Sequence, residues 1–237
     1  MLEEVTFPVL SNEDESFMPK DGWAVLHLFC KVGNGLDKAS VSAAVKSMYA
    51  GGYQVVTFAM LGHKAQLGFL GIGPSFVRLK EWQRDLERSG LIVVDSYVSM
   101  TEVSEYAAGM PSERKEPRLH PVLPPNGMYN ICFYPMSKKR GSEHNWYTLP
   151  YEERESFMFA HGTSGRAFAG RVVQLVTGST GVDDYEWGVT LFASRPDDLK
   201  SVVYTMRFDE ASAVYAEFGT FYTGVIGDVE SVLEISL

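Results

Sequence analysis

AAGMPSERKEPRLHPVLPPNG, residues 107–127, carries five prolines and a cluster of charges, and the chain runs through the same order of elements on each side of it. Proline withholds the backbone N–H that helices and strand ladders use, so this stretch reads as a linker or extended connection. Working back from it, WAVLHLFCKV (23–32) has the β-branched and aromatic content of a strand. Leu36 to Tyr49 is predicted helical, because Val41, Ala44, Val45 and Met48 recur at three- and four-residue spacing and Gly51-Gly52 stops the run. YQVVTFAMLG (53–62) and AQLGFLGIG (65–73), broken at His63-Lys64, suggest a hairpin. A helix from Phe76 to Arg88 and a strand from Leu91 to Val98 complete the first set.

Past the connection, Asn130 to Tyr134 is a predicted strand, and Tyr151 to Phe168 a helix with Pro150 ahead of its first turn. RVVQLVTG (171–178) and YEWGVTLFA (185–193) are strands around the turn STGVDD. Leu199 to Tyr215 is a helix, and FGTFYTGVIG (218–227) the last strand. Each half is therefore β-α-β-β-α-β, the ferredoxin-like arrangement. One sheet face of such a unit needs a cover, and the sister half is the economical choice. The expectation is an α+β fold of two ferredoxin-like halves packed sheet to sheet, of the dimeric α+β barrel type, with a cavity between the sheets. The divisions are an arm (1–21), a first half (22–106), the connection (107–127) and a second half (128–237).

Composition narrows the function. The 237 residues are 45% hydrophobic and 13% aromatic, enough for a sizeable core. A net charge of -9 argues against nucleic acid as the partner. No basic amphipathic stretch and no run of about 18–20 apolar residues points to a membrane. The acidic first thirty residues lack the features of a signal peptide, so a cytoplasmic location is expected. Cys30 and Cys132 both sit in apolar runs and read as buried free thiols, which excludes a disulfide scaffold.

No Walker loop, GxGxxG, HExxH, GxSxG or CxxC occurs. Among five histidines, His27, His63, His120 and His144 suit structural or solvated roles, and no pair has chelating spacing. His161, in FMFAHGTSGRAFAG, has Gly162 and Gly165 beside it. Either it is an ordinary partly buried histidine, or the glycines admit a flat ligand and the imidazole holds heme iron from one side. Tyr134-Pro-Met-Ser-Lys-Lys-Arg140 and Asn145-Trp-Tyr147 join a phenol, cations and an indole. They suit a large conjugated ligand with acidic groups, or a solvated turn. Arg207 could pair with Asp209 or Glu210.

The strings YPMSKKR, NWYTLP, ERESFMFAHGTSGR, VQLVTGSTGVDDYEWGVTLF and VVYTMRFDEASAVYAEFGTFYTG together resemble the chlorite dismutase-like heme proteins, most of all the coproheme decarboxylase branch. The likeness is close over 130–225; before that it rests on layout, with GHKA at 62–65 the best local match. The resemblance implies that His161 is the axial iron ligand. It implies that Tyr134 forms a radical that attacks the propionates of iron-coproporphyrin III (coproheme), and that Lys138 holds a propionate and supplies a proton. Met136 lies at the porphyrin edge, Arg207 and Ser212 bind propionates, and Trp146 is near the pocket; Arg118 is a further contact. Gln174 stands where true chlorite dismutases place an arginine, and a neutral amide cannot polarise hypochlorite. The implied activity is hydrogen peroxide-dependent conversion of coproheme to heme b. A chlorite dismutase or heme peroxidase, or a non-catalytic heme carrier, are the alternatives. A homopentamer is also implied.

Overall fold

A computed structural model describes residues 8–107 and 109–237. The first seven residues of the expected arm lie outside it; the rest of that arm holds one short 3-10 turn, Glu15–Phe17. The first half runs β1 (Ala24–Val32), α1 (Lys38–Ala50), β2 (Gln54–Met60), β3 (Leu67–Gly73), α2 (Phe76–Arg88) and β4 (Leu91–Thr101). Asp37 caps α1 by accepting from the Ala39 and Ser40 amides, and Gly51 ends it, followed by Gly52 at φ +80, a left-handed position that suits glycine. The connection contains α3 (Ser112–Leu119), an eight-residue helix with Pro117 inside it, where the sequence suggests irregular chain.

The second half runs β5 (Asn130–Lys138), α4 (Tyr151–Arg166), β6 (Val172–Gly178), β7 (Trp187–Ala193), α5 (Pro196–Met206), α6 (Glu210–Ala213), β8 (Ala216–Phe218) and β9 (Tyr222–Ile226). A last helix, α7 (Val229–Ser236), has no counterpart in the sequence expectation. Its Val229, Val232 and Leu233 join the helix-side core of the first half, so the end of the chain crosses back over the other unit. The helix expected from Leu199 to Tyr215 is in fact α5 and α6. Asp209 adopts extended backbone between them, and its carboxylate accepts the Ser212 N–H to start a new turn.

Each half has the strand order last-first-third-second, β4-β1-β3-β2 and β9-β5-β7-β6. The two sheets join at both edges, β2 with β9 and β4 with β6, closing a ring. The space between them is occupied rather than open. Phe29, Phe58, Tyr97, Phe133, Phe192 and Tyr222 from both halves form one buried cluster there. The expected cavity between the sheets is therefore replaced by a core. Strand alternation explains the segregation. On β5, Ile131 and Phe133 point into this core, while Cys132, Tyr134 and Met136 belong to the cluster beneath the second half's helices.

Candidate functional site

The chemistry expected from the sequence gathers on the outer face of the second sheet, under α4. Tyr134 and Lys138 are buried, at 7% exposure each, and both stand on β5 at positions of one parity. Met136, between them, is half-buried against the same cluster. The Tyr134 ring stacks on Phe221 at 4.4 Å and tilts against Phe218 at 5.7 Å. Its hydroxyl makes no hydrogen bond to the protein among the described residues. Burial, with Cys132 adding to it, raises its pKa above the ordinary phenol range, while Arg207 opposes this; the ring is held as a neutral phenol.

Lys138 donates from Nζ to the Ala211 carbonyl at 2.7 Å, and the Trp146 ring centroid lies 4.2 Å from the ammonium. Burial lowers its pKa to about 8, with Asp209 and Glu186 acting the other way. The Arg207 guanidinium lies 3.8 Å from the Phe218 ring centroid. Arg207 does not pair with Asp209 or Glu210, the partners its spacing suggests. Among the described residues neither Lys138 nor Arg207 is in an ion pair, although one is buried and both rest on aromatic faces. A buried cation whose neighbouring carboxylates make no direct ion pair with it can still receive a ligand's anion.

His161 faces this group from α4. Its Nδ1–H donates to both carboxylate oxygens of Asp209, each at 3.1 Å, and Ser212 Oγ lies 3.4 Å from the same nitrogen. Burial pushes the Asp209 carboxyl up, but the bonds from His161 and Ser212 outweigh it and hold it below the usual range. Nε2 is left uncommitted to the protein among the described residues, and the side chain is 27% exposed. A histidine fixed through one nitrogen by a carboxylate and open at the other is arranged as a metal ligand. Across from it, Gln174 on β6 reaches Met206 Sδ at 3.6 Å, and its Nε2 would lie 3.8 Å from a Cβ added at Gly165. Gln174 therefore lies against the glycine face of α4, the helix that carries His161.

Asp209 is the participant that the sequence reading missed. Its signal was present: Asp with Ser three residues on, in a run read as helix, is an N-cap pattern and marks a break. Phe218 and Phe221 were missed because rings on a terminal strand carry no local mark. Arg118 stands apart from the cluster, on α3, with Nη1 2.6 Å from Met110 Sδ. His27 is sealed in the barrel core beside Thr190, His63 lies in the bend between β2 and β3, and His120 closes α3. Cys30 and Cys132 are buried and free. Among the described residues no group of three or more His, Cys, Asp or Glu could hold a bare metal ion, and no helix is long and apolar enough to cross a membrane.

The family model described as chlorite dismutase matches residues 37–227. The chain belongs to the chlorite dismutase family. Within and around it, a protein named coproheme decarboxylase from Staphylococcus saprophyticus is 43% identical over 179 residues, 71% of each chain. A candidate heme-binding protein from Natronomonas pharaonis is 38% identical over 86% of this chain; the match spans only 39% of that longer protein. Among solved structures, a heme-binding protein from Thermus thermophilus superposes with a TM-score of 0.84 at 36% identity, covering 91% of this chain and 95% of that one. A chlorite dismutase from Candidatus Nitrospira defluvii shares the fold at 18% identity, with a TM-score of 0.72 over 92% and 96% of the two chains. Family membership accounts for the paired ferredoxin-like halves and makes heme or a related porphyrin the expected ligand class.

Proposed function

We propose that this chain catalyses the hydrogen peroxide-dependent oxidative decarboxylation of coproheme to heme b, the substrate serving as its own redox centre. The observation that carries the reading is the meeting of a buried phenol with two unpaired cations beside a carboxylate-held histidine. A heme carrier would use the histidine and the cations but has no use for the phenol. The residues fit an iron porphyrin with acidic side chains: an imidazole with one open nitrogen, cations for carboxylates, and Met136, Met206 and Phe218 as partly buried apolar groups.

Bound ferric porphyrin supplies the means of drawing on peroxide as a two-electron oxidant. His161 would hold the iron through Nε2, with Asp209 fixing the imidazole. Lys138, Arg207 and Ser212 grip propionate carboxylates, and Met136 and Trp146 border the ring edge. Tyr134, neutral because it is buried, would give up an electron to the peroxide-oxidised substrate and its proton to the oxygen that leaves as water. The resulting phenoxyl takes a hydrogen atom from the β-carbon of a propionate, which restores the phenol. Loss of one more electron and of CO2 from the propionate leaves a vinyl group, and peroxide ends as two waters with uptake of one proton. A second round converts the second propionate. Gln174 offers no charge to hold hypochlorite, which disfavours chlorite decomposition.

Mass spectrometry of the protein mixed with ferric coproheme and measured peroxide tests this. Stepwise loss of one and then two carboxyl groups is expected. Rapid oxygen release from chlorite would instead favour a chlorite dismutase, and tight binding without turnover a carrier.

A further inference from the structure

Glu186 is a buried carboxylate, 6% exposed, that the reaction above does not use. It stands one residue ahead of β7, where that strand ends opposite Met136. Beyond that point the amide of Lys138 has no β7 backbone to meet, and Glu186 Oε2 accepts it at 2.8 Å. The backbone N–H of Glu186 donates to the Met136 carbonyl at 3.1 Å and to Ser137 Oγ at 3.2 Å, clasping the same three residues of β5. Burial, and then the Glu186 carboxylate, raises the pKa of the half-exposed Tyr147, the neighbour of the Trp146 whose ring backs the Lys138 ammonium. Glu186 thus holds the backbone of β5 where Lys138 runs past the end of β7, and Lys138 in turn packs on the aromatic wall of the short turn.

We propose that Glu186 is a positioning residue: its carboxylate holds Lys138 against the Trp146 ring and its negative charge favours the ammonium that grips a ligand carboxylate. The identity of that carboxylate, a porphyrin propionate, rests on the function proposed above. The charged and titratable groups facing this corner are Asp209 ahead of α6, Glu186 ahead of β7, and Tyr147 and Arg140 beyond Glu186. Burial works against the charged lysine and the two carboxylates work for it. Asp209, the stronger of the two on Lys138, is also bound to His161 and Ser212, whereas Glu186 bonds the Lys138 segment itself.

The test is the binding of metal-free coproporphyrin III, followed by fluorescence as a function of pH. In the parent protein affinity is expected to fall as pH rises through about 8, where Lys138 loses its proton. Glu186→Gln keeps an acceptor for the Lys138 amide and removes only the charge, so the fall is expected at lower pH. Lys138→Arg is expected to abolish the fall in the presence or absence of Glu186→Gln. A purely structural Glu186 predicts an unmoved midpoint in Glu186→Gln, and that result overturns the proposal. If Glu186→Gln does not fold, Glu186→Asp is expected to give a smaller shift in the same direction, and no shift overturns the idea equally. Failure of coproporphyrin to bind the parent protein would count against the coproheme reading instead. Glu186 would then be judged from the NMR titration of the Lys138 ε-carbon in ligand-free protein, with the same downward shift expected in Glu186→Gln and its absence overturning the assignment.

Discussion

In the first half α1 buries Val41, Ala44, Val45 and Met48, and α2 buries Leu79, Trp82 and Leu86; in the second half the sixteen-residue α4 buries no residue fully. The two units share topology and strand order, yet only one has a closed helix layer. α7 adds a third helix to the first unit, while in the second His161, Gly162 and Gly165 are half-buried over a sheet bearing Tyr134 and Gln174. A helix is normally held to its sheet by apolar burial. Where that burial is withheld, a ligand can supply the missing contact. On the function proposed above, one copy of the repeat serves as scaffold and the other as the site.

The largest effect that would break this contrast is on chemistry. Tyr134→Phe is expected to slow decarboxylation by on the order of a thousandfold or more while coproheme binding is retained, since the phenol supplies a step and not the grip. Single-turnover mass spectrometry reads it, and an unaltered rate would remove the tyrosyl route. Next comes stability. Trp82→Ala in the closed layer is expected to cost about 3–5 kcal/mol in denaturant unfolding. Phe157→Ala on α4, half-buried, is expected to cost well under that in the ligand-free protein. Equal losses would mean that the two helix layers are packed alike.

Asp209→Asn comes third. It leaves His161 in place but takes away its anionic partner, and iron-porphyrin affinity is expected to fall about 10–100-fold, as for other partners of ligating histidines. The Soret titration measures it, and metal-free porphyrin should show a much smaller change. The smallest and most telling contrast is Gly165→Ala. The new Cβ would meet Gln174 and Met206 at 3.8 Å, an ordinary contact, so the ligand-free helix should gain about 0.5–1 kcal/mol. If a flat ligand comes against Gly165, porphyrin affinity should drop in the same variant.

The shared barrel core offers a control independent of either helix layer. His27 is fully buried, 2.9 Å from Thr190 Oγ1 and 4.1 Å from the Phe133 ring, and burial lowers its pKa from 6.5 to about 3. The folded state therefore refuses a proton that the unfolded chain accepts. The stability this reflects is complete above about pH 6.5 and is lost as pH falls toward 3. His27→Gln should flatten the fall in Tm across that window, and an unchanged slope would show that another group is responsible.

Much of this was legible beforehand, for stated reasons. The doubled β-α-β-β-α-β order followed from hydrophobic period and glycine stops, which are local. The boundary of α5 was misread because Leu199 to Tyr215 keeps a helical pattern straight through Asp209, and the cap that breaks it competes only locally. α3 was missed because five prolines in the connection outweighed a short charged stretch whose Pro117 is tolerated near the helix end. His161 was ambiguous until the HGTSGR string was set beside YPMSKKR and MRFDEAS, since one imidazole with two glycines fits a bland role equally well.

The sequence alone determined the two-fold repeat, the buried cysteines and the parity that sends Tyr134 and Lys138 to one side of β5, because alternation along a strand is a property of the backbone. It could not say which side that was. Only the closure of the sheets through β2–β9 and β4–β6 decided that the rings of Phe29, Phe133 and Tyr222 fill the inside, which leaves the outer face of the second sheet for chemistry. Likewise, only tertiary contact gave Asp209 to His161 rather than to Arg207, and Glu186 to Lys138. Those pairs are 48 residues apart in the chain, and nothing local in the sequence brings them together.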